Sequence, residues 1–186
     1  MMTEDWIIGF VWGIGTISDA RLYIRYHDRE LLQTIAETIN TRSRPFSPTV
    51  GKIGLRIRLD HPFCQKLLQL GWTGRMDKSR LYPTGEIDHI EFIRGYCYTK
   101  SVVDTWKRKT RKGDVIRSPR LRIYGSQDIV YHIDQYFAKN IGTTPKKPAL
   151  HTTKQGDCWV IYYLSIKEIP VLVSILELSQ KSIQKQ

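Results

Sequence analysis

Hydrophobic and polar positions alternate most strictly over residues 52–59, where KIGLRIRL predicts a β-strand with one buried face. Residues 28–40 instead repeat their apolar side chains every three or four positions, as one face of a helix does. Two further apolar stretches, WIIGFVWGIG at 6–15 and FIRGYCYTKS at 92–101, each carry an early glycine and lead into a β-prone hairpin. Their similarity predicts an internal repeat.

The order of predicted elements is the same in both halves of the chain. In the first half, the apolar helix is followed by a hairpin whose second arm is 21–26, the helix at 28–40, a proline-containing break at 42–49, the strand at 52–59 and a short helix at 61–72. In the second half, the apolar helix is followed by a hairpin (101–108 and 119–125), a helix after Ser126, a second hairpin (147–155 and 157–164) and a last helix (165–178). We therefore predict an α+β fold of two tandem αββαββα repeats, 1–74 and 86–186, joined by a polar linker at 75–85.

The chain carries a large excess of positive charge. Its 186 residues include 29 Lys and Arg against 18 Asp and Glu, which gives a formal net charge of +11. Such a surplus favours a polyanionic partner, nucleic acid or an anionic membrane, over a role in solubility alone. No apolar run reaches the roughly 18 residues that span a bilayer, and acids at the N-terminus argue against a signal peptide. These features predict a cytoplasmic protein with no membrane partner.

Other chemistry has little support in the sequence. Cys64, Cys97 and Cys158 are odd in number and widely spaced, which is typical of buried thiols in a reducing compartment and not of a zinc site. The five histidines are dispersed. The glycines at 13 and 15 are not followed by the Lys and Ser/Thr of a phosphate loop. We therefore predict no cofactor and no metal.

The two apolar stretches resemble the motifs of the LAGLIDADG homing endonuclease family in its single-chain form. FIRGYCYTKSVV at 92–103 is similar to the family's FxRGxxDGDGS pattern with the acids replaced. IIGFVWGIGTIS at 7–18 matches in length, in Gly9 and Gly15, and in the residues that start the next strand. The LYP sequence at 81–83, ahead of the second motif, is also typical. The resemblance covers nearly the whole chain.

This resemblance implies a specific architecture. The two motif helices would pack side by side about a pseudo-twofold axis, which requires small residues where they touch. Gly9 and Gly13 are four positions apart, as are Gly95 and Thr99, so each pair lies on one helix face. The resemblance also implies an antiparallel β saddle that lies in the major groove of DNA. The chain would be a monomer whose pseudo-dimer interface is internal.

In active family members, each motif helix ends in an acid that binds the divalent metal used for cleavage. Aligned on the glycines, those positions hold Ile14 and Lys100, and neither side chain is a ligand for Mg²⁺. We therefore predict a degenerate member that is not an enzyme and holds no metal. Asp19 and Asp104, four or five positions further on, leave open a weak metal-dependent endonuclease that uses displaced acids.

Three strands predict the DNA-binding face. On each of them, apolar side chains alternate with polar ones that are chiefly arginine and include no acid, and arginine is suited to guanine edges and phosphates. The predicted contacts on these strands are Arg21, Tyr23, Arg25, His27, Lys52, Arg56, Arg58, Arg120, Arg122 and Tyr124. Further phosphate contacts are predicted at the end of the second motif helix and at a basic hairpin tip: Lys100, Lys107, Arg108, Lys109, Arg111 and Lys112.

These features together predict a sequence-specific, regulatory, duplex-DNA-binding protein that uses a basic saddle and does not cut DNA. Family analogy suggests a regulator of transcription or of a mobile element, associated with the nucleoid when bound. Binding of RNA as an intron maturase is the alternative within the binding class. The weak endonuclease is the alternative from a different class.

Overall fold

The computed structural model describes residues 2–49, 52–74, 79–109, 113–153 and 156–178. The chain forms two compact units, Met1–Thr99 and Lys100–Gln186. The helices are α1 (Glu4–Ile14), α2 (Arg29–Thr38), α3 (Pro62–Gln69), α4 (His89–Lys100), α5 (Gln127–Asn140) and α6 (Glu168–Ile175). The strands are β1 (Thr16–Ser18), β2 (Arg21–Tyr26), β3 (Phe46–Thr49), β4 (Lys52–Arg58), β5 (Ser101–Lys109), β6 (Val115–Gly125), β7 (Ala149–Thr153) and β8 (Gly156–Tyr163).

Each unit contains one antiparallel four-stranded sheet. The strand order is β1-β2-β4-β3 in the first unit and β5-β6-β8-β7 in the second. The predicted α+β class and the αββαββα order of elements in each half are confirmed. Helix α4 opens the second repeat in sequence but belongs to the first compact unit.

Two strands contradict the predicted boundaries, and both differences involve proline. Residues 46–49 form β3, where a break was predicted, and β6 begins at Val115 instead of residue 119. Proline is tolerated where a strand has a partner on only one side, because its missing N–H breaks no ladder there. Pro48 lies on the edge strand β3, and Pro119 pairs with Thr105 of β5 beyond the segment of β6 that β8 covers.

The first sheet buries one face against helices. Leu22 and Ile24 of β2 and Leu55 and Ile57 of β4 have no exposed surface, and register pairs Leu22 with Ile57 and Ile24 with Leu55. Helix α1 packs against β2 and α2 packs against β4. Since side chains alternate between the two faces of a strand, the residues between these apolar ones lie on the opposite face of the sheet.

Helices α1 and α4 approach one another at their backbones. A Cβ atom added to Gly9 would lie 1.9 Å from the carbonyl oxygen of Phe92, and one added to Gly95 would lie 1.8 Å from the carbonyl oxygen of Trp6. Thr99 instead donates its hydroxyl to the carbonyl of Tyr96 in its own helix at 3.0 Å. The two glycines therefore lie at the contact between the helices, whose backbones are too close for any side chain at these positions.

Part of the segment that was predicted as a polar linker packs into the first unit. Arg80 is only 5% exposed and donates to the carbonyl oxygens of Trp12 and Gly15 at the C-terminal end of α1. Trp12 in turn donates its indole N–H to the carbonyl of Leu81 at 3.0 Å. A helix leaves its last carbonyls without internal partners. Arg80 supplies donors to this helix end, a role that the prediction of a polar linker missed.

A buried carboxylate joins three segments of the second unit. Asp134 of α5 has no exposed surface. Its oxygens accept hydrogen bonds from the hydroxyl of Tyr163 at 2.8 Å and from the backbone N–H of Lys146 at 2.9 Å. Asp134 thereby connects α5 to β8 and to the loop before β7.

Replacing Asp134 by alanine is expected to lower the free energy of unfolding by about 2 kcal/mol, because the Tyr163 hydroxyl and the Lys146 N–H would lose their partner in a buried place. Urea denaturation followed by circular dichroism measures this loss. Gln135→Ala on the exposed side of the same helix is the control and is expected to change stability by less than about 0.5 kcal/mol. Equal effects of the two substitutions would contradict a structural role for Asp134.

None of the described helices combines the length and apolar character that a bilayer-spanning helix needs. Cys64 and Cys97 are buried, as predicted, whereas Cys158 is half-buried. Burial, with a smaller contribution from Asp60, raises the pKa of the Cys64 thiol to about 12.

Candidate nucleic-acid interface

The first sheet carries arginines on the face opposite its helices. Arg21, Arg25, Arg56 and Arg58 are all exposed there, and register places Arg21 beside Arg58. This is the placement that the alternating pattern predicted. His27, just after β2, is exposed as well. Lys52 lies at the start of β4, but its side chain is outside the described residues.

Tyr23 was predicted to contact DNA directly, and the structure instead places it beneath its neighbours. It lies on the arginine-bearing face but is only 5% exposed. The guanidinium carbon of Arg25 lies 4.6 Å from the centre of its ring, and that of Arg56 lies 5.1 Å from it. Phe46 of β3 stacks on the same ring with centroids 6.0 Å apart. Tyr23 is therefore a platform under two arginines and has little surface of its own.

A glycine makes room for this platform. Gly54 of β4 lies opposite Arg25 in β2 and opposite Phe46 in β3. A Cβ atom at this position would lie 2.6 Å from Cε2 of Tyr23. The ring of Tyr23 thus fills the space that a side chain at Gly54 would take. Alternation along β2 alone predicts an exposed Tyr23, because it takes no account of this space on the neighbouring strand.

Arg58 has a carboxylate partner near the end of β4. It binds Asp60 through Nε at 3.0 Å and through Nη2 at 2.6 Å. Both side chains are well exposed, at 77% for Arg58 and 65% for Asp60. An ion pair so open to water contributes little to stability and separates easily when another anion approaches Arg58.

The second sheet places an acid among its arginines. Arg120 and Arg122 of β6 lie on one face of the sheet, and Asp104 of β5 pairs directly with Arg120. The Asp104 carboxylate accepts from Arg120 Nε and Nη2, both at 2.8 Å, and from Arg122 Nη2 at 2.6 Å. The sequence prediction considered only β2, β4 and β6, whose outward side chains include no acid. In the second sheet the acid comes from β5, the strand that pairs with β6.

Electrostatics keeps this carboxylate ionised. Hydrogen bonds from Arg120 and the charge of Arg122 outweigh the effect of burial and hold the pKa of Asp104 below its ordinary value. The same ion pair raises the pKa of Arg120. Elsewhere in the second unit, burial would raise the pKa of Glu168, but hydrogen bonds from the Thr144 N–H and from Lys146 hold it below its ordinary value.

These lowered pKa values predict a loss of stability in acid. A carboxyl whose pKa is lower in the folded state than in the unfolded chain stabilises the fold fully above its unfolded pKa, and the stabilisation is lost as pH falls through its folded pKa. We expect the free energy of unfolding to fall once pH drops below about 4. Denaturation at pH 7 and pH 3 tests this. The stability difference between wild type and Asp104→Asn should shrink at the lower pH, and a constant difference would contradict the prediction.

The hairpin of β5 and β6 carries further exposed cations. Lys107 lies directly opposite Arg117, and both are exposed; Arg117 was not predicted. By alternation they lie on the other side of the hairpin from Trp106 and Ser118, which share the side of Asp104. Trp106 is 36% exposed and was also missed. Of the remaining predicted phosphate contacts, Arg108 and Lys109 lie in β5 with side chains outside the described residues, and Arg111 and Lys112 lie wholly outside them.

The last two predicted contacts lie elsewhere in the second unit. Tyr124 is half-buried, with the guanidinium carbon of Arg122 5.5 Å from the centre of its ring and the ring of His151 at 5.8 Å. Burial raises the pKa of the Tyr124 hydroxyl. Lys100 is half-buried at the C-terminal end of α4. Lysine is favourable at this end of a helix because it complements the helix dipole.

The motif-helix ends carry few donors for a metal. Ile14 ends α1 and Lys100 ends α4, and neither has a carboxylate. Asp19 lies exposed in the turn between β1 and β2, with φ of 52°, and accepts a hydrogen bond from Ser18. Within the described ranges, no group of three or more His, Cys, Asp or Glu is placed to hold a metal ion. Ile14 and Lys100 therefore supply no oxygen ligand of the kind that a divalent metal takes.

Neither a family model nor a curated protein sequence matches this chain. Its fold is nevertheless that of LAGLIDADG meganucleases. Meganuclease I-SmaMI bound to uncleaveable DNA is 10% identical, with a TM-score of 0.64 over 98% of this chain and 85% of that one. LAGLIDADG meganuclease I-CpaMI bound to uncleaved DNA is 12% identical, with a TM-score of 0.64 over 100% and 87%. LAGLIDADG homing endonuclease I-GzeII in complex with its DNA target is 10% identical, with a TM-score of 0.61 over 99% and 85%.

The prediction that this chain is not an enzyme is contradicted by these comparisons, because all three proteins are endonucleases. The prediction rested on aligning two short motifs on their glycines. Shifting a helical alignment by one residue turns the side chain by about 100° around the helix. A shift of one residue would therefore place different side chains at the positions of the acids.

Proposed function

We propose that this protein binds duplex DNA in a sequence-specific manner through the arginine-bearing faces of its two sheets. The observation that carries the proposal is the placement of the arginines. In the first unit Arg21, Arg25 and Arg56 are exposed on the face opposite the helices, and in the second unit Arg120 and Arg122 lie on one face of β6. Antiparallel strands fit the major groove, where base edges differ in their donors and acceptors.

The way in which the arginines are held supports reading of bases in addition to general attraction to DNA. Arg25 and Arg56 lie over the Tyr23 ring, and Arg120 is fixed by two hydrogen bonds to Asp104. A guanidinium with a restricted orientation loses less conformational entropy when it binds a base edge than a freely moving side chain does. The net charge of +11 adds attraction to phosphates that does not depend on sequence.

Selection from a randomised duplex library tests the proposal. The protein is incubated with the library at two salt concentrations, and the bound fraction is sequenced. We expect enrichment of a defined site. Affinity should fall as salt rises, because binding releases cations from the DNA and this release is less favourable at high salt concentration. Salt-sensitive binding without enrichment would contradict sequence-specific recognition. Stronger binding of structured RNA at equal salt would contradict duplex DNA as the partner.

Cleavage of the enriched site is the second candidate function, favoured by the fold that this chain shares with named endonucleases. The enriched duplex is incubated with Mg²⁺ and its strands are separated on a denaturing gel. Products that disappear in Asp19→Asn would identify an endonuclease that depends on this exposed acid. The predicted regulatory role followed from an absence of cleavage, which the shared fold contradicts, so regulation is not part of the proposed function.

A further inference from the structure

Asp104 occupies an unusual place for an acid in a protein with a net charge of +11. It lies within β5, directly opposite Arg120, and its side chain is only 14% exposed. The guanidinium groups of Arg120 and Arg122 both contact it, and their side chains are 22% and 17% exposed. A carboxylate here would repel DNA phosphates, so its presence needs a reason beyond general attraction to DNA.

The geometry of the Arg120 contact suggests that reason. Arg120 binds Asp104 from the side, with Nε on one carboxylate oxygen and Nη2 on the other, both at 2.8 Å. A guanidinium has five N–H groups in a fixed planar fork. Binding through the Nε and Nη2 edge leaves the edge between Nη1 and Nη2 chemically suited to a second bidentate acceptor, such as O6 and N7 of guanine.

The two sheets hold their arginines by different means. In the first unit Arg25 and Arg56 lie over aromatic rings, so their charges are not neutralised by that contact. In the second unit Asp104 binds both Arg120 and Arg122 and offsets part of their charge. Both arrangements restrict the guanidinium groups, but the first keeps their full positive charge for phosphates, whereas the second exchanges part of that charge for an orientation fixed by hydrogen bonds.

We propose that Asp104 is a positioning residue for specificity: it fixes Arg120 so that the guanidinium selects guanine at one position of the bound site, and it weakens binding to DNA of other sequence. This inference rests on the proposed function, since it assigns a role within the same DNA-binding face. It also accounts for the buried carboxylate without a metal, because three of its acceptor positions are taken by arginine N–H groups.

The experiment repeats the library selection with Asp104→Asn and with Arg120→Lys, which keeps the charge but removes the fork. In both variants the preference for guanine over the other bases at the same single position is expected to fall about tenfold. Asp104→Asn should also bind a random duplex a few-fold more tightly. Its plot of log binding constant against log salt concentration should be steeper by about one unit. Arg120→Lys should show no such gain.

Asp60→Asn is the matched control for charge. It makes the same substitution and also releases an arginine, but Asp60 is 65% exposed and its partner Arg58 is 77% exposed. We expect it to raise affinity for random duplex and to leave every base preference unchanged. Asp104→Glu is the second variant, in case Asp104→Asn folds poorly. It keeps the charge and displaces the carboxylate, so it should lose the guanine preference without gaining affinity for random duplex.

The outcomes separate this inference from the proposed function. If the wild type enriches a site and Asp104→Asn or Asp104→Glu, whichever is folded by circular dichroism, keeps all base preferences, the positioning role is wrong while DNA recognition stands. If Asp60→Asn loses the same guanine preference, charge alone explains the effect and the inference is also wrong. If the wild type enriches no site, sequence-specific binding fails, and with it the role of Asp104.

Discussion

Replacing Gly9 by alanine is expected to lower the free energy of unfolding by about 3 kcal/mol, and Gly95→Ala is expected to do the same. The added methyl carbon would lie 1.9 Å from the Phe92 carbonyl oxygen in the first variant and 1.8 Å from the Trp6 carbonyl oxygen in the second. Both obstacles are backbone atoms in helices, so they cannot move aside as a flexible side chain would. Helices α1 and α4 must separate, and the contacts between them are weakened along their length.

Helix propensity alone predicts the opposite change in stability for these two substitutions. In the middle of an exposed helix, glycine to alanine stabilises by about 1 kcal/mol, because alanine restricts the unfolded chain and favours the helix. Destabilisation at Gly9 or Gly95 would therefore come from the helix contact and not from helix propensity. Urea denaturation measures the change, and Thr34→Ala on the exposed side of α2 is the control, expected within about 0.5 kcal/mol of wild type. A neutral or stabilising effect at Gly9 would contradict the close approach.

Sequence predicted best those strands and helices whose boundaries and buried faces follow from residues within the same segment. Residues 52–59 alternate strictly, and the burial of Leu55 and Ile57 beside the exposed Arg56 and Arg58 follows that alternation. Helix α2 likewise begins after Asp28, whose carboxylate accepts from the Leu31 N–H at 3.0 Å. Such features depend on residues a few positions apart, which a single sequence displays directly.

The features that sequence missed depend on residues far apart in the chain. Asp104 and Arg120 are 16 positions apart and meet because of the register of β5 against β6. Tyr23 is covered because Phe46 and Arg56 come from two other strands. Arg80 contacts Trp12 across 68 positions. Strand register and side-chain packing between distant segments cannot be read from the periodicity of one segment, which is why the acid within the second arginine-bearing face was not foreseen.

The largest expected effect on DNA binding comes from the double variant Arg25→Gln with Arg56→Gln. Each of these arginines is exposed and lies over the Tyr23 ring, so each has a guanidinium edge available for a phosphate or a base. A contact of this kind contributes about 1–3 kcal/mol, and losing two should weaken binding of the enriched duplex about 100-fold. Fluorescence anisotropy with a labelled duplex measures the change.

The salt dependence of binding distinguishes direct contact from a general loss of charge. If both arginines contact phosphates, the slope of log binding constant against log salt concentration should be shallower by about two units in the double variant. Lys139→Gln with Lys167→Gln removes the same charge from two exposed positions, one of them in α5, which packs against β6 and β8. Because general electrostatic attraction depends on net charge and direct contacts depend on position, this control should weaken binding only a few-fold. If the two double variants weaken binding equally, the arginine-bearing face of the first sheet is not where DNA binds.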